Sequence, residues 1–278
     1  MQTRSDEAGA GAEVALDQAL ARAVLYHALG ASLRRPAAEE RQRLFSPAGR
    51  DALTGAAAVL DAGRPSAEAI SSLVEKWAAL GAGSCEPVSE AHDRLFGHSR
   101  GLVCPFETEY GPEGGFEQPQ VLADIAGSYR AFGLATFGHQ DERMDHVACE
   151  CEFLEFLARK EAYTLGLDLS GGQVQGDCGV ELEITRSAER GFLRGHLGRF
   201  GRAFASGLLK EDATGFFGVL GAVLFAFLTQ ECRRLGVPPG LPVLELRPPA
   251  LDDAPLACGS VGACPQPGEL IQVRRRRP

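Results

Sequence analysis

The sequence predicts an all-α protein, a single helical bundle of about nine to ten helices with a Pro-rich, irregular C-terminal tail. Three observations support this fold class. Apolar residues recur at helical spacing through most of the first 236 residues, the loops between these segments are mostly short, and no series of strands is found. With 278 residues, 45% of them hydrophobic and 23% charged, the chain is long enough to bury a substantial core.

Nine segments carry the helical pattern, and proline, glycine and capping residues mark several of their ends. Pro36 follows the first segment, Pro119 suits the first turn of the sixth, and Ser66 is predicted to cap the fourth. In chain order the predicted helices span residues 14–33, 38–45, 50–61, 66–80, 88–96, 119–132, 145–165, 183–209 and 214–235.

The helix predicted at 145–165 has the clearest pattern. From Val147 onward, apolar residues four, three and four positions apart form one face. Asp145 stands at the helix start and is predicted to cap it. The acidic residues predicted to form a solvated face of this helix are Glu152, Glu155 and Glu161.

We predict a helical domain at residues 12–236 and an extended tail at 237–278. Nine prolines follow residue 235, and this density disfavours further helix. The apolar piece at 241–246 is expected to dock as an extended segment. The sequence leaves open the role of the tail and of its two cysteines, Cys258 and Cys264.

Negative charge is concentrated in one part of the chain. The formal net charge is −9, and residues 86–161, with 15 acidic and six basic side chains, account for all of it. This argues against nucleic acid as a partner, because a phosphate backbone needs clustered cations. The charge favours a basic ligand or basic peptide near this stretch, and a solvated acidic surface is the alternative.

The chain carries no predicted membrane span or export signal. Its longest apolar run, residues 215–229, has 15 residues, whereas a membrane span needs about 20. We therefore predict a buried helix there. The first residues carry acids and lack an apolar signal core, which predicts a cytoplasmic protein. The eight cysteines form no CxxC pair and are expected to be free thiols.

No motif for nucleotide binding or hydrolysis is found: the sequence has no Walker-type loop, no GxSxG elbow and no HExxH. A carboxylate-bridged dimetal centre uses Glu-x-x-His pairs on two helices, whereas Glu142 and His146 are four apart and no second helix repeats the pair. We expect no catalytic residue, no metal and no cofactor. A metal- or thiol-dependent helical-bundle enzyme is the alternative.

Asp145, His146 and Glu150 differ from the other acidic-helix residues. His146 and Glu150 are four apart and would meet on one helix face, while Asp145 lies where free helix amides stabilise a carboxylate. This group could bind a ligand beside the Gly- and Pro-rich loop that precedes it. The simpler interpretation is a capping residue followed by a surface histidine.

The sequence contains three motifs in this order: Arg94-Leu-Phe96, Cys104-Pro-Phe-Glu-Thr-Glu-Tyr110 and Asp145-His-Val-Ala-Cys-Glu-Cys-Glu-Phe-Leu154. Together they resemble the TorD/DmsD/NarJ family of cytoplasmic molybdoenzyme chaperones. The resemblance implies an all-α, non-enzymatic protein that binds the twin-arginine signal peptide and the apo-form of a molybdopterin oxidoreductase. It implies retention of that enzyme until its cofactor is inserted, and the molybdenum cofactor biosynthesis machinery as a further partner.

In detail, residues 96–111 and 122–134 resemble the branch that serves type II dimethyl-sulfoxide-reductase-like enzymes. Asp145 and His146 match the family's Asp-His pair implicated in signal-peptide binding. Phe106 stands where the family usually has Tyr, so one hydroxyl is missing. The residues assigned to signal-peptide binding are Asp145, His146 and Glu150 at the helix start, and Pro105, Phe106, Glu107 and Tyr110 in the loop.

Overall fold

Ten α-helices make up most of the residues that the computed structural model describes, which are 2–62, 69–97, 101–111, 118–134, 143–171 and 177–247. Within these ranges the only β-type pairs are two isolated bridges, so the predicted all-α class is confirmed. The helices are α1 (Gln2–Leu33), α2 (Ala38–Leu44), α3 (Pro47–Asp61), α4 (Ile70–Gly81), α5 (Cys85–Phe96), α6 (Gln118–Ala131), α7 (Val147–Leu169), α8 (Cys178–Gly195), α9 (Leu197–Glu211) and α10 (Phe216–Leu235).

Hydrogen bonds from side chains and a left-handed glycine define several helix ends. The Asp61 carboxylate accepts hydrogen bonds from the amides of Ile70 and Ser71 at 3.1 and 2.9 Å, so the last residue of α3 caps the start of α4. The predicted cap of this helix, Ser66, lies outside the described residues. Gly236, at φ 64°, ends α10 in the left-handed conformation that glycine adopts without steric cost.

The single helix predicted at 183–209 is wrong, because α8 and α9 are separate helices that meet at His196. The backbone there leaves the helical region, with φ −126° and ψ −106°. A Cβ on Gly198 would come within 2.2 Å of the Leu193 carbonyl oxygen, so the tight turn needs a glycine at this position. As a result the His196 ring is directed towards Glu107, far away in the sequence.

Two helix pairs and a bridging layer form the core. α1 packs along α7, α9 packs against α10, and α3 and α4 connect the two pairs. α1 and α7 approach closely at Gly30, where a Cβ would lie 3.3 Å from the Ala148 carbonyl oxygen. In the bridging layer the Phe45 ring makes edge contacts with Trp77 and Phe216, at centroid distances of 5.5 and 5.7 Å.

The apolar run of the sequence lies in α10. In the described part of the chain this is the one helix with the length and composition to cross a membrane, and 61% of its most apolar window is buried inside the bundle. Phe217, Leu224 and Phe227 have no exposed surface. The run is therefore a core helix of the bundle, as predicted.

A buried cluster of charges connects four helices near the middle of the bundle. Arg22 of α1 is 2% exposed and donates hydrogen bonds to Glu161 of α7 and to Glu189 of α8, the second at 2.9 Å. Glu231 of α10 lies 3.9 Å from the same guanidinium group and also receives a bidentate bond from Arg234. Each buried carboxylate in the cluster thus has a cationic partner.

This cluster corrects the predicted solvated face of α7. Glu152 is half exposed and pairs with Arg34, as a surface residue would. The side chain of Glu161, by contrast, is 4% exposed and lies between Arg22 and Arg186. The spacing along α7 does not distinguish Glu161 from a surface acid. The arginines on neighbouring helices, Arg22 and Arg186, offset the cost of burying its charge.

Replacement of Arg22 by leucine should destabilise the fold by about 3–5 kcal/mol, because it leaves buried carboxylates without their shared cation. Urea unfolding of Arg22→Leu measures this loss. The matched control is Arg159→Leu, which breaks an ion pair of a 58% exposed arginine with Glu155 on the same helix. The control should cost less than about 1 kcal/mol. Equal losses in the two variants would contradict the structural role of Arg22.

Candidate functional site

Two of the sequence motifs meet at the start of α7. The Val147 amide donates to the Pro105 carbonyl and the Glu107 amide donates to the Asp145 carbonyl, both at 2.9 Å. These bonds form an isolated antiparallel bridge between Phe106 and His146. The loop at 104–110 is therefore held against the turn at 143–146, and the predicted residues of both motifs come together in one place.

Asp145 does not cap α7, so this prediction is wrong. Its fully buried carboxylate is directed towards the loop, where it accepts hydrogen bonds from the Thr108 amide at 3.2 Å and the Thr108 hydroxyl at 2.7 Å. The cap is His146, whose extended backbone lets its Nδ1 accept a bond from the Ala148 amide at 3.1 Å. Asp145 thus holds the loop in place, and His146 begins the helix.

The cation that balances Asp145 is Arg143. Its Nε and one terminal nitrogen donate to the two oxygens of Asp145 at 3.0 and 2.9 Å, and its other terminal nitrogen lies 3.3 Å from Glu109 Oε1. The guanidinium carbon lies 4.4 Å from the centroid of the Phe106 ring, a cation–π contact. The side chain of Arg143 remains 43% exposed although that of Asp145 is completely covered. The arrangement is a guanidinium site that opens to solvent.

His146 is kept neutral by its surroundings. Burial, and then the nearby Arg34 guanidinium, lower the pKa of His146 to about 4, and the Asp145 carboxylate opposes this shift only in part. Because Nδ1 accepts the capping bond, the ring proton of the neutral form lies on Nε2. A neutral imidazole suits the start of a helix, where a cation would face the free amides.

A buried pair of carboxyl groups lies beneath the loop. Glu150 is fully buried, and burial together with the facing Glu107 carboxylate raises the pKa of Glu150 well above its ordinary value. Within the described residues neither Glu150 oxygen has another hydrogen-bond donor. Glu107 has a second partner in His196, whose Nδ1 lies 3.0 Å from Oε2. The raised pKa favours the neutral form of Glu150, and Glu107 is anchored to the turn between α8 and α9.

The rest of the loop is fixed by the Tyr110 side chain and by backbone hydrogen bonds. The Tyr110 hydroxyl donates to the Cys104 carbonyl at 2.7 Å, and burial raises the pKa of this phenol. Tyr110 also forms a bridge with Leu246, and the Arg247 amide donates to the Glu109 carbonyl at 2.8 Å. The extended segment predicted at 241–246 therefore docks through its last residue onto the candidate site.

Six of the seven predicted site residues are buried, and Phe106 alone among them is half-buried. The structure brings the predicted residues together, but the sequence did not indicate which atoms a ligand can reach. It missed Arg143 and Glu109, which form the open side of the guanidinium site, and the anchors Thr108 and His196. Thr108 lay inside a quoted motif, whereas His196 is 89 residues from Glu107 and gave no local signal.

A groove of about 390 Å³ lies between α1, α2 and α3. Its floor is apolar, and its rim carries both signs of charge. Val24, Leu44 and Leu53 form the floor, and the rim carries His27, Glu40, Arg43 and Arg159. His27 lies 3.1 Å from Glu155 of α7, so the groove runs beside the same helix that begins at the candidate site.

Metal and thiol sites are not formed by the described residues. No three of their His, Cys, Asp or Glu side chains are grouped so as to hold a metal ion. Six cysteines lie in the described ranges, and all six are free thiols. Burial raises the pKa of Cys151, which keeps this thiol protonated.

The fold and the site together define an all-helical protein in which a half-exposed guanidinium group, that of Arg143, is bound at the start of one long helix. The family model described as nitrate reductase delta subunit matches residues 61–206, which is more than half of the chain, and the protein belongs to this family. The family consists of molybdoenzyme maturation chaperones, so the predicted kinship is confirmed at this level. Among curated proteins, none gives a significant match to the sequence.

The neutral His146 should make the protein sensitive to acid. The folded state resists protonation until about pH 4, whereas an unfolded histidine binds its proton near pH 6.5. Between these values the unfolded state binds more protons, so stability falls as the pH is lowered. His146→Asn keeps a capping acceptor that does not titrate. From pH 7 to pH 5 the variant should lose about 2 kcal/mol less than the native protein.

Urea unfolding at both pH values measures this difference. The groups that face His146, namely Arg34, His92, Arg143 and Asp145, are unchanged in the variant, so their own titration cancels in the comparison. Equal acid sensitivity in the two proteins would show that His146 is protonated in the folded state.

Glu150 should give the opposite dependence. Its pKa is raised in the folded state, so its contribution to stability is complete below about pH 4.3, the ordinary value, and is lost as the pH rises through the folded value. Glu150→Gln should therefore equal or exceed the native protein in stability at pH 8. The control Glu152→Gln changes an exposed acid on the same helix and should have an effect below about 1 kcal/mol. Strong destabilisation by Glu150→Gln at pH 8 would contradict the protonated state.

Proposed function

We propose that the protein is a cytoplasmic, non-enzymatic chaperone that binds the twin-arginine signal peptide and the apo-form of a molybdopterin oxidoreductase. It would assist insertion of the cofactor before export. The observation that carries this proposal is the guanidinium site formed by Asp145, Glu109 and Phe106. Membership of a molybdoenzyme chaperone family gives the general role and the kind of partner, and the site suggests which part of the partner is recognised.

An arginine-bearing peptide suits this site for two reasons. A carboxylate that presents both oxygens binds the planar guanidinium group through two parallel hydrogen bonds, which an ammonium group cannot form. The site also lies within residues 86–161, the stretch that contains the whole excess of negative charge. A peptide with two adjacent arginines would be attracted by that charge and then held at Asp145.

The predicted site residues would then divide into two groups. Phe106 and Glu109 would contact the peptide. Asp145 would bind an arginine at the edge that the Arg143 side chain now covers. The other five predicted residues, which are Pro105, Glu107, Tyr110, His146 and Glu150, would hold the loop and the helix start in position.

The apolar stretch that follows the arginines in such a leader needs a different surface. We assign it to the groove between α1, α2 and α3, whose floor is formed by Val24, Leu44 and Leu53. An apolar peptide segment in a groove between helices is a common mode of recognition. The client is proposed to be a type II dimethyl-sulfoxide-reductase-like enzyme, and the cofactor biosynthesis machinery is a further proposed partner.

Binding of a leader peptide to Asp145→Asn tests this proposal. The probe is a synthetic twin-arginine leader peptide of a molybdopterin oxidoreductase, and its binding is measured by titration calorimetry. Loss of the charged hydrogen bonds should weaken binding by about 1.5–3 kcal/mol, or about 10- to 150-fold. The control Asp124→Asn removes an exposed acid of the same stretch and should change affinity less than about two-fold.

Salt gives a second measurement of leader binding. Because attraction between exposed charges is screened over about 8 Å at physiological ionic strength, about 0.5 M salt should mainly lower the association rate of the leader with the native protein. Equal affinity of the native protein and Asp145→Asn, with melting temperatures unchanged, would reject the assignment of the arginine to this site.

A further inference from the structure

The guanidinium site is already filled by a residue of the same chain. We propose that Arg143 is a built-in competitor, and that a partner's arginine binds Asp145 by replacing the Arg143 side chain. This inference rests on the proposed function for the identity of the partner, but the exchange itself is a property of the site.

The geometry around Arg143 is that of a bound ligand. Its guanidinium group is held at one edge by both oxygens of Asp145 and by the Thr108 hydroxyl, which accepts a bond at 2.5 Å, at another edge by Glu109, and on its face by the Phe106 ring. These three elements are the ones that recognise a guanidinium group in general: a bidentate carboxylate, a second acceptor and an aromatic face. A partner's arginine could use the same three.

The difference in burial between Asp145 and Arg143 favours exchange of the Arg143 guanidinium for that of a partner. The side chain of Asp145 has no exposed surface and receives its other hydrogen bonds from Thr108, so it stays in place when the cation changes. Arg143 has 43% of its side chain in solvent and lies before the first residue of α7, outside the helix. An unpaired buried carboxylate is costly, so the site should change one cation for another without remaining empty.

An internal competitor would act as a filter. A side chain attached next to its own site has an effective concentration in the millimolar range. An incoming group must therefore bind Asp145 well enough to compete with Arg143 at that effective concentration. A lysine offers one point charge and does not match the two bonds made by Arg143. Basic peptides without arginine would therefore be rejected, although the negative charge of residues 86–161 attracts them equally.

The occupancy of the site can be tested without any partner. Arg143→Ala should have a lower melting temperature than the native protein, and millimolar ethylguanidinium should restore it. Ethylammonium at the same concentration should not restore it, and neither compound should raise the melting temperature of the native protein. If ethylguanidinium fails to stabilise Arg143→Ala, no exchangeable guanidinium site exists and the inference is rejected.

Leader affinity tests the competition. Arg143→Ala and the milder Arg143→Lys should bind the twin-arginine leader at least about five-fold more tightly than the native protein. The control Arg130→Ala removes an exposed arginine of the same acidic stretch and should change affinity less than about two-fold. A leader with two lysines in place of the two arginines should bind weakly to the native protein and more tightly to the Arg143 variants.

Each remaining outcome decides between the two proposals. Equal tightening by Arg130→Ala would mean a general charge effect, and weaker binding by both Arg143 variants would make Arg143 a contact of the peptide; either result overturns the competition. If no variant binds the leader although ethylguanidinium stabilises Arg143→Ala, the proposed function fails and the exchangeable site stands. Should Arg143→Ala fail to fold, Arg143→Lys carries both measurements.

Discussion

A buried carboxylate needs a cationic partner, and this requirement shapes the molecule at two levels. In the bundle, Arg22 is placed among carboxylates from three other helices, so those helices can pack together only when their charges are balanced. At the start of α7 the same requirement is met by Arg143, which neutralises Asp145 from the solvent side. The Arg22 cluster is enclosed on all sides, whereas Arg143 is 43% exposed. This difference in exposure supports the proposed role of the second site in recognition.

The candidate site at the helix start is supported by buried residues. His146 remains neutral so that it can cap α7, and burial beside Glu107 favours the neutral form of Glu150, four residues later. Neither residue therefore needs to bring a full charge into the interior. Glu107 in turn connects the loop to His196, so the position of the loop depends on the turn that separates α8 from α9. The shape of the site is thus determined by elements far apart in the sequence.

The sequence predicted the fold class and most helices because periodic burial is a local property. It failed where a long-range contact decides the outcome. Apolar spacing continues through His196, so the break between α8 and α9 has no periodic signal, and the burial of Glu161 depends on an arginine 139 residues away. Asp145 and His146 are both able to cap a helix, and the hydrogen bonds of Thr108 to Asp145 decide between them. Motif resemblance indicated residues that the structure brings together, but it could not distinguish buried supports from accessible atoms.

That most motif residues lie inside the molecule has a consequence for protein engineering. The side chains by which this protein is recognised as a family member are largely the ones a partner cannot touch, since Pro105, Glu107, Tyr110 and Glu150 are all buried. Exchanging such residues between relatives would alter folding before it altered preference. A redesign of client choice should keep these buried residues and randomise the exposed positions around them. The buried residues then maintain the fold while the surface residues are varied.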